Sequence, residues 1–155
     1  ADYMEQLKRN GEYKITEEEL AKINSEFDAG FTNGDETIKT IKDVYEKHGY
    51  LMDTHTAVAW SVYEKWLAKT GNKDKTVVLS TASPYKFSNS VMNALGQGYD
   101  GEFDALSKLN AYTGAKIPGS LVDIEKKPVF HSVTVEKDEM MDFVDKMVNT
   151  KTWHE

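Results

Sequence analysis

Cysteine is absent from this chain. That excludes disulfides, thiol nucleophiles and cysteine-based zinc or iron–sulfur centres, while leaving the compartment undetermined by itself. Long apolar runs are absent as well. No stretch approaches the roughly 20 residues needed to cross a bilayer, and residues 1–10 have no apolar signal-peptide core. A cytoplasmic protein without membrane contact is expected. Basic residues are outnumbered, with 19 Lys and Arg against 26 Asp and Glu and a formal net charge of −7. Nucleic-acid binding relies on clustered cations that neutralise phosphates, so nucleic acid is not an expected partner and only small anions at local basic spots remain.

The remaining composition, 39% hydrophobic and 29% charged, is that of an ordinary globular protein and not of a disordered one. A chain of 155 residues suits one domain that buries roughly 70% of its extended surface. No internal repeat or linker stands out, so residues 1–155 read as one piece without an internal boundary. It begins with Ala rather than Met, which suggests a processed, tagged or excised piece.

Thr16 and Glu19 form a Thr-x-x-Glu capping box, predicting a helix over about 17–27. Asp35 is placed to cap a second helix carrying Ile38, Ile41 and Tyr45, with Gly49 as its left-handed end. A third helix, about 55–69, follows from Ala59, Val62, Tyr63, Trp66 and Leu67 at helical spacing. After the break at Gly71 and Asn72, residues 75–80 read as a short buried strand around Val77, Val78 and Leu79. Short helices near 87–95 and 103–113 are expected next. Val129 to Val135 alternates like a second strand containing His131. A final helix over 138–149 has Met140, Met141, Phe143, Val144, Met147 and Val148 on the side expected to pack into a core. The predicted fold class is therefore α/β, helices flanking a small sheet.

Three patterns bear on chemistry. Gly96 to Gly101 fits G-x-G-x-x-G, but a helix precedes it and Asp100, Glu102 and Asp104 put negative charge where a phosphate would sit, so it reads as a helix–helix loop. Ser80 or Ser83 with His55 and Asp53 has the residue types of a hydrolase triad, without a G-x-S-x-G elbow. The four His show no short metal-ligand spacing. The Ser80-Thr81-Ala82-Ser83-Pro84 run is more specific, because hydroxyls at the carboxyl end of a predicted strand lie where open α/β folds hold ligands, although Ser and Thr are also common turn residues. Pro84 disfavours helix at Ser83 and keeps the turn extended.

The segments Gly49 to Trp60, GYLMDTHTAVAW, and Val77 to Phe87, VVLSTASPYKF, together resemble the C-terminal part of the threonine synthase family of pyridoxal-phosphate (PLP) enzymes. Weaker resemblance runs through Phe27 to Phe31, Ile117-Pro118 and Lys127 to Val129, so it covers most of the chain. It implies a portion of the fold-type II PLP domain and conversion of O-phosphohomoserine and water into threonine and phosphate. Within that family Thr81 matches the partner of the pyridine nitrogen, with Ser80 beside it at the cofactor. His55 lies in the counterpart of an Asp-Pro-His-Thr-Ala-Val segment and is implied to contact substrate. Its neighbouring helix-start N–H groups would attract phosphate or carboxylate. Thr54 replaces the usual Pro, which leaves that helix start less rigid. Lys86 matches a family lysine that either meets the substrate phosphate or makes a surface ion pair.

No lysine here occupies a Schiff-base motif. Catalytic residues are therefore not expected within this chain, which is expected to be inactive alone and to need the remainder of the same enzyme for most of the PLP contacts. Two other readings stay open: a non-catalytic α/β binding or structural domain, and a hydrolase built on Ser80 or Ser83.

Overall fold

The computed structural model describes residues 2–130 and 132–150. They divide after Ala115 into two compact units. Among the described residues seven α-helices occur in order: α1 (Asp2–Asn10), α2 (Glu17–Glu26), α3 (Gly34–His48), α4 (Thr54–Thr70), α5 (Ser88–Ala94), α6 (Gly101–Thr113) and α7 (Met140–Thr150). None is long and apolar enough to cross a membrane.

In the first unit α3 packs on α4 and α5, and α5 packs on α6. The inward stripe of α3 is Thr37, Thr40, Ile41 and Val44, which recur at i, i+3, i+4 and i+7 and so share one face. The two threonines are compatible with burial because each hydroxyl donates back along the helix, Thr37 to Asn33 O at 2.7 Å and Thr40 to Glu36 O at 2.8 Å. Met52, Ala57, Val91, Met92, Ala105 and Leu109 complete the centre of the core. Full burial of one such aliphatic side chain stabilises by about 1.5–3 kcal/mol.

Helix limits follow local chemistry. Thr16 and Glu19 make the expected capping box on α2. The cap of α3 is Asn33, not Asp35: the Asn33 side chain accepts from Glu36 N, and Glu36 reaches back to Asn33 N. Asp35 instead lies in the first turn, where its charge suits the helix dipole. Gly49 ends α3 at φ +63°, a conformation that disfavours any side chain with a Cβ. The signals in the sequence announce no helix before residue 16, yet α1 is present, with Asp2 and Glu5 in its first turn and Lys8 and Arg9 in its last.

The expected sheet is not there. No strand occurs among the described residues, and the α/β prediction is corrected to an all-helical fold for them. Residues 75–80 are irregular, with Val77 78% and Leu79 74% exposed. The predicted strand from Val129 is irregular at its described positions, and Val129, Phe130 and Val133 are exposed. His131 lies outside the described residues. A strand needs a neighbour for its backbone N–H and C=O groups. Apolar alternation marks only a surface that would suit such pairing.

The second unit contains 3₁₀ turns at Ile124–Lys126 and Lys137–Glu139, the latter leading into α7. The predicted helix is present, but its apolar side is not in a core: none of its residues is buried, and Met140, Met141, Val144 and Val148 are exposed.

Candidate functional site at the start of helix α4

Asp53 organises the start of α4. Its side chain is fully buried and acts as the N-cap, Oδ1 accepting from His55 N at 2.8 Å and from Thr56 N at 3.3 Å. Its other oxygen accepts the Thr56 hydroxyl. These bonds satisfy a buried carboxylate that would otherwise carry a large desolvation penalty. They also use the helix-start amides of His55 and Thr56 that the sequence reading offered to a substrate anion. Anion attraction at this end of α4 therefore falls to side chains.

Thr56 reaches out of the helix to the following segment. Its hydroxyl lies 3.1 Å from Ser80 Oγ, which ties the Ser80–Thr81 backbone to α4. Thr81, next along, is exposed and has no side-chain hydrogen bond among the described residues. Beyond it Ser83 Oγ accepts from Tyr85 N at 3.3 Å, starting the 3₁₀ turn Pro84–Phe87, with Pro84 at its first position. Tyr85 is the buried anchor of that turn. Its hydroxyl donates to Ala115 O, and Ser88 donates to Tyr85 O at 2.9 Å. Burial pushes the Tyr85 hydroxyl above its ordinary pKa, so it remains a donor at neutral pH.

The anchored turn brings Lys86 and His55 to the same aromatic ring. The exposed His55 imidazole lies 4.9 Å from the Phe87 ring, tilted by 49°, and Lys86 Nζ is 5.7 Å from the centre of that ring. His55 Nδ1 is also 3.5 Å from Asp53 Oδ1 and from Thr54 Oγ1. Lys86 makes no salt bridge among the described residues, leaving its charge available to an anion. Phe87 is the member of this group that sequence reasoning missed. Its position immediately after Lys86 was the available signal.

His55 also forms part of the wall of an open cleft of about 420 Å³, together with Thr37 and Ile38 of α3, Thr54 and Val58 of α4, and Ser90 of α5. The hydrolase alternative is not assembled. Ser80 is bonded to Thr56 and Ser83 to the Tyr85 amide, and neither makes a hydrogen bond with His55 among the described residues. The Gly96 to Gly101 segment is a connection between α5 and α6, as expected. There the Asp104 carboxylate receives Asp100 N at 2.7 Å, occupying the position a phosphate would need.

Residues 56–144 match the family described as "Threonine synthase, C-terminal". The chain is 34% identical over 113 residues to threonine synthase of Saccharomyces cerevisiae, covering 68% of this chain and 22% of that protein. A crystal structure of PLP-bound threonine synthase from Brucella melitensis aligns with 34% identity and a TM-score of 0.53, over 68% of this chain and 23% of that one. The crystal structure of threonine synthase from yeast aligns over 97% of this chain and 29% of its own, with a TM-score of 0.73 at 24% identity, a likeness of fold. The chain matches between 10% and 22% of the length of the curated relatives it resembles.

Proposed function

This chain belongs to the threonine synthase C-terminal family, and from that premise we propose that it forms part of a PLP-dependent enzyme converting O-phosphohomoserine and water into threonine and phosphate. The observation that carries the proposal is the meeting of His55 and Lys86 at Phe87, beside the Ser80–Thr81 turn. A phosphorylated amino acid needs cationic or donating groups close to a cofactor edge, and this arrangement supplies both.

The donor set fits one edge of PLP. Ser80 and Thr81 offer neutral, exposed hydroxyls, suited to a pyridine nitrogen. When bound, PLP supplies an electron sink for bond cleavage next to the substrate amine. Thr81 partners the ring nitrogen. A hydroxyl there holds a ring proton less firmly than a carboxylate would, which suits elimination and replacement with a moderate sink. Lys86 and His55 hold the phosphate of the substrate, and Phe87 supports both side chains. The lysine that holds the cofactor covalently, and most of the remaining cofactor contacts, come from the rest of the same enzyme. The exposed Val77 and Leu79, immediately before Ser80, are covered by that remainder. This reading goes with a cytoplasmic location.

The test is phosphate release from O-phosphohomoserine, with threonine identified as the product, by the full-length enzyme that carries this chain. A protein that takes up PLP but releases no phosphate from this substrate would overturn the assignment.

A further inference from the structure

A single polar contact fixes the approach to Thr81. Between Lys73 and Ala82 the chain has no regular structure, and among the described residues one hydrogen bond joins this stretch to another element, that between Ser80 and Thr56 of α4 at 3.1 Å. The bonds of Asp74 with Asn72 and with Thr76 are local. Packing does not replace the contact, because Val77 and Leu79 are exposed. Thr56 is itself held from beneath: it is buried, with its hydroxyl against Asp53 Oδ2. A carboxylate only accepts, so the one Thr56 proton goes to Asp53 and the Ser80 proton makes the bond to Thr56. The reverse would leave Asp53 Oδ2 buried without its donor, since the amides of His55 and Thr56 are both on Oδ1, and an unpaired buried acceptor is costly. Ser80 thus uses its proton inside the chain, while the exposed Thr81 keeps its own.

We propose that Thr56 is a positioning residue for the cofactor contact: with Asp53 beneath it, Thr56 pins Ser80 so that Thr81 presents its hydroxyl to the ring nitrogen. This rests on the proposed PLP site and divides the work within it. Ser80 acts through its position, and Thr81 acts through its contact. Thr81 lies between two fixed points, the Ser80 bond on one side and, on the other, the Ser83–Tyr85 turn anchored on Ala115. The pin also shares its foundation with the proposed phosphate contact, because the carboxylate that holds the Thr56 hydroxyl accepts the His55 amide at 2.8 Å. That amide bond uses Asp53 Oδ1 and no hydroxyl, so the pin can be removed while His55 stays in place.

The experiment uses the full-length enzyme that carries this chain and measures PLP affinity by titration together with inhibition of turnover by inorganic phosphate. Thr56→Val keeps the volume and the helix-start amides but removes the pin. It should bind PLP about five- to tenfold more weakly, as expected for one lost hydrogen bond, with phosphate inhibition unchanged. Thr56→Ser should restore the affinity. Ser80→Ala cuts the same link from an exposed position and carries the test if Thr56→Val does not fold. It should weaken PLP binding about five- to tenfold in wild type but less than about twofold in a Thr81→Val background, because a pin matters only through the group it holds. Equal weakening in both backgrounds would show that Ser80 meets the ring itself and would overturn the pin alone. Joint loss of PLP affinity and phosphate inhibition in Thr56→Val, the mark of a loosened helix start, would overturn it too. No PLP uptake by wild type would overturn the proposed function and the pin with it.

Discussion

Lys65 of α4 places its Nζ 2.9 Å from Oε1 of Glu36 at the start of α3, so the residue that closes the α3 capping box also ties the two helices together. The Glu36 carboxylate accepts from Asn33 N and the Thr32 hydroxyl, both at 2.9 Å. The Asn33 amide is the main reason its pKa falls to about 2, followed by Lys65 and Thr32. Lys65 also donates to Phe31 O at 3.1 Å, fastening the segment before the cap.

A pH dependence follows from Glu36. Because its pKa is lowered on folding, its contribution is fully present above the ordinary value of 4.5 and is lost as pH falls toward about 2. Glu36→Gln should therefore have a lower Tm than wild type at pH 6, with the gap closing between about pH 4.5 and 2. Added salt should narrow the Lys65 part of that gap, since both side chains are partly exposed. Equal separation of the two melting curves at pH 6 and pH 2.5 would show that the carboxylate charge is not the cause.

Gly30 explains why the segment before α3 lies so close to α4. A Cβ built on it would come within 2.8 Å of Val62 Cγ1, and a valine on a helix has little rotamer freedom with which to retreat. Gly30→Ala should cost about 1–3 kcal/mol of stability by overpacking. Adding Val62→Ala should remove most of that increment, which a double-mutant cycle in urea would detect as coupling. Additive losses would place the two side chains out of contact.

Much of the helical framework was legible because caps and periodicity are local. Thr16 with Glu19 starts α2, and Gly49 and Gly71 end α3 and α4, where the local signals say they should. The sheet was misread because Val77 to Leu79 has a strand-like composition, whereas a strand is defined by a partner, and no partner occurs among the described residues. The apolar stripe of α4 was only partly right: Val62, Tyr63, Trp66 and Leu67 are half-buried, but Ala59 is exposed, and the fully buried residues are Thr56, Ala57 and Ser61. Small and hydroxylated residues on the packed face carried no hydrophobic signal. At the site, His55 and Lys86 could be singled out as residues, but their meeting depends on Phe87 and on the anchoring of Tyr85, which are tertiary facts.

The proposed cofactor contact rests most directly on Thr81. In the full-length enzyme, Thr81→Val keeps the volume and removes the hydroxyl, a loss on the order of 1–3 kcal/mol if the bond is made to a charged or developing charged group. Turnover of O-phosphohomoserine should fall about ten- to a hundredfold with folding intact. Unchanged turnover would make Thr81 an ordinary turn residue.

Lys86 and His55 make separable contributions if both face the substrate phosphate. Lys86→Ala should raise KM for O-phosphohomoserine, and should lower kcat as well if the contact strengthens as phosphate departs. His55→Ala should likewise raise KM for O-phosphohomoserine. Phe87→Leu should weaken both by withdrawing the ring they share, while Tyr85 keeps the turn in place. Inhibition by inorganic phosphate isolates binding from chemistry. Weaker phosphate inhibition in Lys86→Ala and His55→Ala, with unchanged PLP affinity, is the expected pattern. Phosphate that inhibits both variants as strongly as wild type would remove these two residues from the anion site and leave the Ser80–Thr81 turn as the chain's contact with the reaction.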